Sequence, residues 1–303
     1  MTDFGIEESF DKAALRMQEH HGVKIHPKTI HRVTLNHASR AAHMRTEEGC
    51  GLRKPGRLIV EMDGEMVPLV ETSGEGDKRK SRKCLWSELR VGAAQRVNEV
   101  EWKYACSFKT PNDLGDRVND LLRKSFGWKG DTRLYSVGDG AKWITEQLER
   151  IAGTMFDYTI DLYHLCEYIA QAASGWATDV GTEINRLREM LKAGKVTGVI
   201  EELKERERND SKHEGIRKCL QYIENRPGQF RYQKSIQEGL PIGSGKIEST
   251  HRHLIQARLK KAGAWWKKDN AAVMAELRVA RANNQWHILW QDEKTLVCSR
   301  MAA

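Results

Sequence analysis

Apolar residues recur at helical spacing near the start of the chain. Phe10, Ala13, Ala14 and Met17 share one face, Gly22 ends the run, and Pro27 suits the first turn of a second helix. Residues 7–44 therefore read as helical. Two short helices about a glycine make a candidate helix-turn-helix, with Lys28, His31 and Arg32 available to phosphates; a plain helical hairpin has the same pattern. The pattern changes after Lys54, Pro55 and Gly56. Arg57–Asp63 (RLIVEMD) reads as a strand, Gly64 as a turn or bulge, and Glu65–Glu71 as the antiparallel partner. Trp86–Val91 gives a third strand and Val100–Phe108 a further one. Leu114, Val118, Leu121 and Leu122 mark 112–125 as a helix. Thr132–Val137 is a strand ending at Gly138, Asp139 and Gly140, and Trp143, Ile144, Leu148 and Ile151 form the buried face of the helix after it. A short strand, Asp157–Leu162, leads into a helix over Tyr163–Ala173.

From there to Pro227 the chain is helix-like and highly charged, with Leu187, Met190, Leu191, Val199, Ile200 and Leu203 as core candidates. That is a helical insertion, not a continuation of the sheet, and two helices over 248–261 and 270–282 close the chain. The segments expected are a helical N-terminal region (1–50), the first part of an α/β core (51–173), the insertion (174–236) and the last part of the core with basic helices (237–303).

Composition narrows the partners. The chain has 303 residues, and 50 Lys and Arg against 42 Asp and Glu leave a net charge of +8, which favours an anionic partner. The cations are clustered. Asp77–Lys83 holds Lys78, Arg79, Lys80, Arg82 and Lys83 with no apolar residue, and reads as a solvated loop. Arg252, Arg258, Lys260, Lys261, Lys267 and Lys268 surround Trp265 and Trp266. Six scattered cysteines without a CxxC pair exclude a zinc ribbon or a disulfide framework and point to a reducing interior. The start lacks a basic n-region and an apolar h-region, and no apolar run approaches the ~20 residues that span a bilayer. The expectation is a cytoplasmic, nucleoid-associated protein with no membrane segment.

Three acids stand where catalytic ligands are found. Asp63 ends a strand, Asp139 sits at a strand-to-helix turn, and Glu248 opens a helix after the small-residue loop 239–245. A hairpin, a third strand and then alternating α and β is the element order of a ribonuclease-H-like mixed sheet with flanking helices. In such a sheet three hard oxygen donors converge on Mg²⁺ or Mn²⁺. Two ions about 3.5–4 Å apart activate an attacking oxygen and stabilise a leaving one. Asp161 and His164 form a second small constellation. His164 either faces the scissile phosphate for proton transfer or is bonded to its own strand-end acid as a structural cap.

The blocks VEMDGEMVPL (60–69), VGDGAKWI (137–144), DLYHLCEY (161–168), GLPIGSGKIEST (239–250), RLKKAGAWW (258–266) and NNQW (283–286) occur in this order. Over roughly residues 7–290 the chain resembles a bacterial insertion-sequence DDE transposase of the ISKra type, distantly similar to Mutator-like enzymes. The resemblance implies a ribonuclease-H-like core interrupted by a helical domain between the second and third acids, and Mg²⁺-dependent strand cleavage and transfer. It assigns Asp63, Asp139 and Glu248 as metal ligands, with Asp161 and His164 as the D-x-x-H motif. Two departures stand out. Such relatives carry a cysteine-rich module ahead of the helical region, and this chain begins after where that module would end. Ala264, Trp265 and Trp266 replace a less bulky Gly-Met-x-Trp.

The activity implied is DNA transposition. Water frees a 3′ hydroxyl at a transposon end, and that hydroxyl attacks a target phosphate. The partners implied are double-stranded DNA, at transposon ends and target, and a second copy of the chain, as a homodimer or larger assembly on DNA. Lys78, Arg79, Lys80, Arg82, Lys83, Arg252, Arg258, Lys260 and Lys261 would contact backbone phosphates. Trp265 or Trp266 would stack on an unpaired base, with one tryptophan expected in that role and the other buried. The competing readings are a non-catalytic, repressor-like DNA-binding remnant and a structure-selective nuclease on the same fold.

Overall fold

The computed structural model describes residues 1–43, 56–72, 81–210 and 212–290. In chain order the elements are α1 (Thr2–Glu7), α2 (Phe10–His21), α3 (Pro27–His43), β1 (Leu58–Thr72), β2 (Arg82–Arg96), β3 (Lys103–Ser107), α4 (Pro111–Phe126), β4 (Leu134–Gly138), α5 (Lys142–Ala152), β5 (Phe156–Ile160) and α6 (Leu162–Ala173). They continue with α7 (Val180–Lys192), α8 (Val196–Asn209), α9 (Glu214–Glu224), α10 (Tyr232–Gln237), α11 (Gly245–Thr250), a π-helical segment (His251–Gln256), α12 (Ala257–Leu259) and α13 (Lys268–Ala282). This is a mixed α/β fold on a five-stranded sheet of order β3-β2-β1-β4-β5.

The chain divides into two compact units. The first comprises Met1–Pro55, Met62–Lys129 and Lys246–Ala303; the second comprises Gly56–Glu61 and Gly130–Gly245. In the first unit β2 and β3 pair antiparallel, with Val91 opposite Cys106. Leu89, Val91 and Ala93 alternate inward along β2 and are buried in one core with Ala271, Met274, Ala275 and Leu277 of α13. The helix α4 shows why the spacing of its apolar residues is reliable. Thr110 caps its N-terminus by accepting from Asp113 N–H, Pro111 opens it, and Gly127 ends it at φ +69°. Its Leu114, Val118, Leu121 and Leu122 are all buried. The N-terminal helices follow the same rules: Ser9 caps α2, and Gly22 closes it at φ +66°.

In the second unit the opening residues of β1 pair in parallel with β4, from Leu58↔Leu134 to Val60↔Ser136, and β4 pairs in parallel with β5. Asp157 on β5 forms ion pairs with Arg57 (2.9 Å), Arg133 (3.1 Å) and Arg231 (2.8 Å), which ties the starts of these strands to the segment before α10. The helical insertion packs on α6 through α7 and α9, with α8 against α7 and α9 and α10 against α7. Of its expected core, Leu187, Leu191, Val199 and Leu203 are fully buried, while Met190 and Ile200 are partly so.

The hairpin expected at Gly64 is corrected by the structure. β1 runs unbroken from Leu58 to Thr72, and the next strand begins only at Arg82. Gly64 lies mid-strand, where a Cβ would overlap the Glu88 side chain. The glycine makes room for a neighbouring strand's carboxylate; it does not turn the chain. Arg82 and Lys83, expected in a solvated loop, belong to β2. Lys78, Arg79 and Lys80 lie outside the described residues.

Candidate functional site

The candidate acids fall in both units, and each set is held differently. In the first unit Asp63 is half-exposed on β1. Its Oδ1 accepts from the Gly64 N–H at 2.7 Å, and its Oδ2 lies 3.2 Å from His251 Nε2. His251 opens the π-helical segment and is buried, with Nδ1 3.4 Å from Oε2 of Glu65. Neither ring nitrogen is aligned for a hydrogen bond, so the bridge is an ionic contact. The other oxygen of Glu65 accepts from Gln256 Nε2 at 2.7 Å and Lys260 Nζ at 2.8 Å.

Burial alone would lower the His251 pKa, but the Asp63 and Glu65 carboxylates facing it outweigh that and raise it to about 9. Burial likewise pushes Glu65 up, but His251, Lys260 and Gln256 hold it at about 2. At neutral pH the set is therefore carboxylate, imidazolium, carboxylate and ammonium in series. Glu248, in the first turn of α11, is exposed and has no ionic or hydrogen-bond partner among the described residues. The π-helical segment after it is a rare backbone form concentrated at functional sites.

In the second unit Asp139 follows the last residue of β4. Its Oδ1 accepts from the Ala141 N–H at 2.9 Å, and its carbonyl accepts from the Tyr222 hydroxyl at 2.6 Å. Gly140 (φ +86°) donates its N–H to the Tyr158 hydroxyl, and its carbonyl accepts from the Arg226 guanidinium. A Cβ at this left-handed position would overlap Arg226, so only glycine fits. Asp161 is buried and fully engaged. Oδ1 accepts from the backbone of Tyr163 and His164 at the start of α6, and Oδ2 from the Ser244 N–H and hydroxyl. Leu162 N–H donates to Ile242 carbonyl, and a Cβ on Gly243 would come within 2.7 Å of the Tyr163 ring. Asp161 thus clamps the small-residue loop onto α6. Both of its oxygens are occupied in holding that loop and the start of α6.

The His164 ring does not bond Asp161. Its Nδ1 lies 3.4 Å from Glu167, and the ring meets Tyr168 and Tyr222 edge-on, those two rings being stacked at 4.1 Å. The cap is made through the His164 backbone N–H instead.

The basic segment also divides. Arg252 is exposed. Lys260 pairs with Glu65, while Lys261 pairs with Glu8 and donates to the Glu7 carbonyl. Arg258 is only 2% exposed and donates Nε to the Gly5 carbonyl, so it is not presented to a DNA backbone. Trp266 is buried and bridges β1, its carbonyl accepting from the Val70 N–H, whereas Trp265 is 51% exposed with the Arg82 guanidinium 3.6 Å from its ring. His251 and Glu65 were missed by sequence reasoning. A signal was present: Glu65 follows Asp63 on the same strand face, and His251 follows Glu248 by three positions on one helix.

Among the described residues no group of three or more His, Cys, Asp or Glu is placed to hold a metal ion. Taken singly, Asp63, Asp139 and Glu248 each present the hard oxygen donors that divalent cations take.

The chain is similar to UPF0236 protein TTE2489 of Caldanaerobacter subterraneus subsp. tengcongensis, at 28% identity over 93% of this chain and 58% of the relative. A second relative from that organism is 25% identical over 93% of this chain and 57% of its own length; its name joins eleven TTE designations, TTE0033 to TTE2212. The chain therefore spans little more than half the length of these relatives. The family model for UPF0236, an uncharacterised protein family, matches residues 2–293, so the chain belongs to the UPF0236 family.

Proposed function

We propose that this chain carries the catalytic core of a DDE-type DNA transposase. The observation that carries the reading is the six sequence blocks in the order of that family, with Asp139 placed directly after β4, a strand paired in parallel on both sides. The carboxyl ends of parallel strands are where α/β folds place their ligands. The strand order β3-β2-β1-β4-β5 supports the finer, ribonuclease-H-like reading, and the six sequence blocks support the ISKra-type likeness. The relative whose single name joins eleven loci of one genome fits a gene that copies itself.

Asp63, Asp139 and Glu248 would hold Mg²⁺ or Mn²⁺. Such ions supply charge neutralisation for the attacking and leaving oxygens. The Tyr222 and Arg226 contacts fix the turn that bears Asp139, and the Asp161 clamp fixes the loop that precedes Glu248 in sequence. Exposed Arg252 would add a phosphate contact, together with Lys78, Arg79, Lys80 and Lys83, so DNA affinity would fall with salt. The partners are double-stranded DNA and a second copy of the chain.

The test is a cleavage and strand-joining assay with Mg²⁺ on DNA carrying the repeats that flank the gene. Asp139→Asn keeps the Oδ1 bond to Ala141 but removes the charge, and is expected to lower both activities at least roughly 100-fold. Equal activity in wild type and variant overturns the assignment. Cleavage without joining would instead favour a structure-selective nuclease.

A further inference from the structure

The parallel strands of the second unit carry a basic cleft at their amino ends, the end opposite Asp139. Arg133 directly precedes β4 and Asp139 directly follows it, and the five residues of β4 span about 16 Å. The cleft has a volume of about 430 Å³ and is lined by Arg57, Thr132, Arg133, Asp157, Arg231 and Lys234. Arg57 lies just before β1, Asp157 on β5, and Arg231 and Lys234 at the start of α10, so the fold assembles the cluster from four separate segments.

Asp157, with its side chain 8% exposed, cannot take up all that the three arginines offer. Its Oδ2 accepts from Arg57 and Arg133, and its Oδ1 from Arg231. Arg133 gives its Nη2 to the Phe156 carbonyl and Arg231 its Nε to the Gly228 carbonyl. Nη1 of Arg133 and Nη2 of Arg231 are left with no acceptor among the described residues, and the buried Nε of Arg57 has none either. Glu238 pairs with Arg57 and lies 3.8 Å from the Lys234 ammonium. Four cations thus face two carboxylates, and two positive charges stay unbalanced.

The lining selects its ligand. Guanidinium and ammonium groups only donate, so the ligand must accept. No aromatic ring or aliphatic wall lines the cleft, so nothing there would hold a base or an acyl chain. A carboxylate would cancel only one of the two charges. A terminal phosphate, at about −1.5 to −2 near neutral pH, cancels both, and its free oxygens suit the forked donors of Arg133 and Arg231. A backbone phosphodiester carries a single charge, and DNA held at Asp139 would lie at the other end of the strands.

We propose that this cleft binds a terminal phosphate group, whether of a small phosphate monoester or of the 5′-phosphorylated end of a strand. The site stands apart from the metal-dependent chemistry proposed above and does not rest on it.

The experiment is calorimetric titration of the full chain, without Mg²⁺, with glycerol phosphate at low salt. One saturable site is expected, with affinity rising between about pH 5 and 7.5, because a phosphate monoester loses its second proton near pH 6. Arg231→Gln and Lys234→Gln alter half-exposed side chains, so circular dichroism should show an intact fold. Each is expected to weaken binding about 10-fold, whereas Lys142→Gln, 89% exposed and beyond the other end of β4, should leave it unchanged. Two oligonucleotides, alike except for a 5′ phosphate or a 5′ hydroxyl, then compete with glycerol phosphate. Competition by the phosphorylated one alone assigns the site to a strand end and competition by neither to a small monoester; both results keep the terminal-phosphate site. Equal competition by both, a flat pH profile, absence of saturable binding, or wild-type affinity in both variants overturns it. Because binding is read without cleavage, failure of the transposase reading leaves this site standing, and loss of the site leaves that reading untouched.

Discussion

The carboxylates of the two units share a chemistry, those of the first lying within β1 and those of the second just after β4 and β5, yet they are stabilised by different physics. In the first unit Asp63 and Glu65 face a buried imidazolium and an ammonium, so their energetics depend on charge and pH. In the second, Asp139 and Asp161 rest on backbone N–H groups and hydroxyls, while a tyrosine hydroxyl and an arginine bind the carbonyls of the Asp139 turn. Neutral donors hold geometry across pH, whereas an ionic bridge holds it only where both charges exist. The difference shows that an acid's role follows from what surrounds it, not from its place in a motif.

The largest effect expected is from Asp161→Ala. It strips the acceptor from three backbone N–H groups and the Ser244 hydroxyl in a buried site, and should cost about 3 kcal/mol or more in urea unfolding followed by circular dichroism. A loss below about 1 kcal/mol would show that the loop does not depend on this clamp. Next is His251→Gln, which leaves two acids facing each other beside a neutral amide and should cost about 2 kcal/mol near pH 6.

The pH dependence of that bridge follows from its two shifts. His251 is raised to about 9, so its contribution is complete below its unfolded value of 6.5 and is lost as pH rises through about 9. Glu65 is lowered to about 2, so its contribution is present above its unfolded value of 4.5 and is lost as pH falls toward 2. Wild-type Tm should therefore decline between about pH 6.5 and 9 more steeply than that of His251→Gln; parallel profiles would show that the contact is not ionic. The smallest effect is expected from Tyr222→Phe, which unpairs the Asp139 carbonyl at about 1 kcal/mol. Burial raises the Tyr222 pKa, so that cost should not vary between about pH 5 and 9. A clear pH slope would break the contrast between the units.

Much of the fold was legible because local rules and tertiary packing agree. The apolar spacing of 112–125 and the capping residues Thr110 and Gly127 specify α4 before anything packs on it. The same holds for the strand ending at Gly138 and for the helical character of the insertion. Gly64 misled because glycine serves both as a turn and as a site of close approach, and only the Glu88 side chain on β2 distinguishes them. Arg258 misled for a related reason: a cation in a basic run looks solvated until Phe10, more than two hundred residues away in sequence, covers it.

The sequence by itself determined where most helices form, that Asp139 and Asp161 follow strands, and that the chain carries excess positive charge, because these depend on periodicity, capping and composition within a few residues. Asp63, expected at a strand end, lies within β1. Only the tertiary structure decided that Asp161 clamps a loop, that His251 and Glu65 join Asp63, and that one tryptophan is buried while its neighbour is exposed. Those outcomes depend on desolvation and on charges brought together from distant parts of the chain, and no local pattern encodes either.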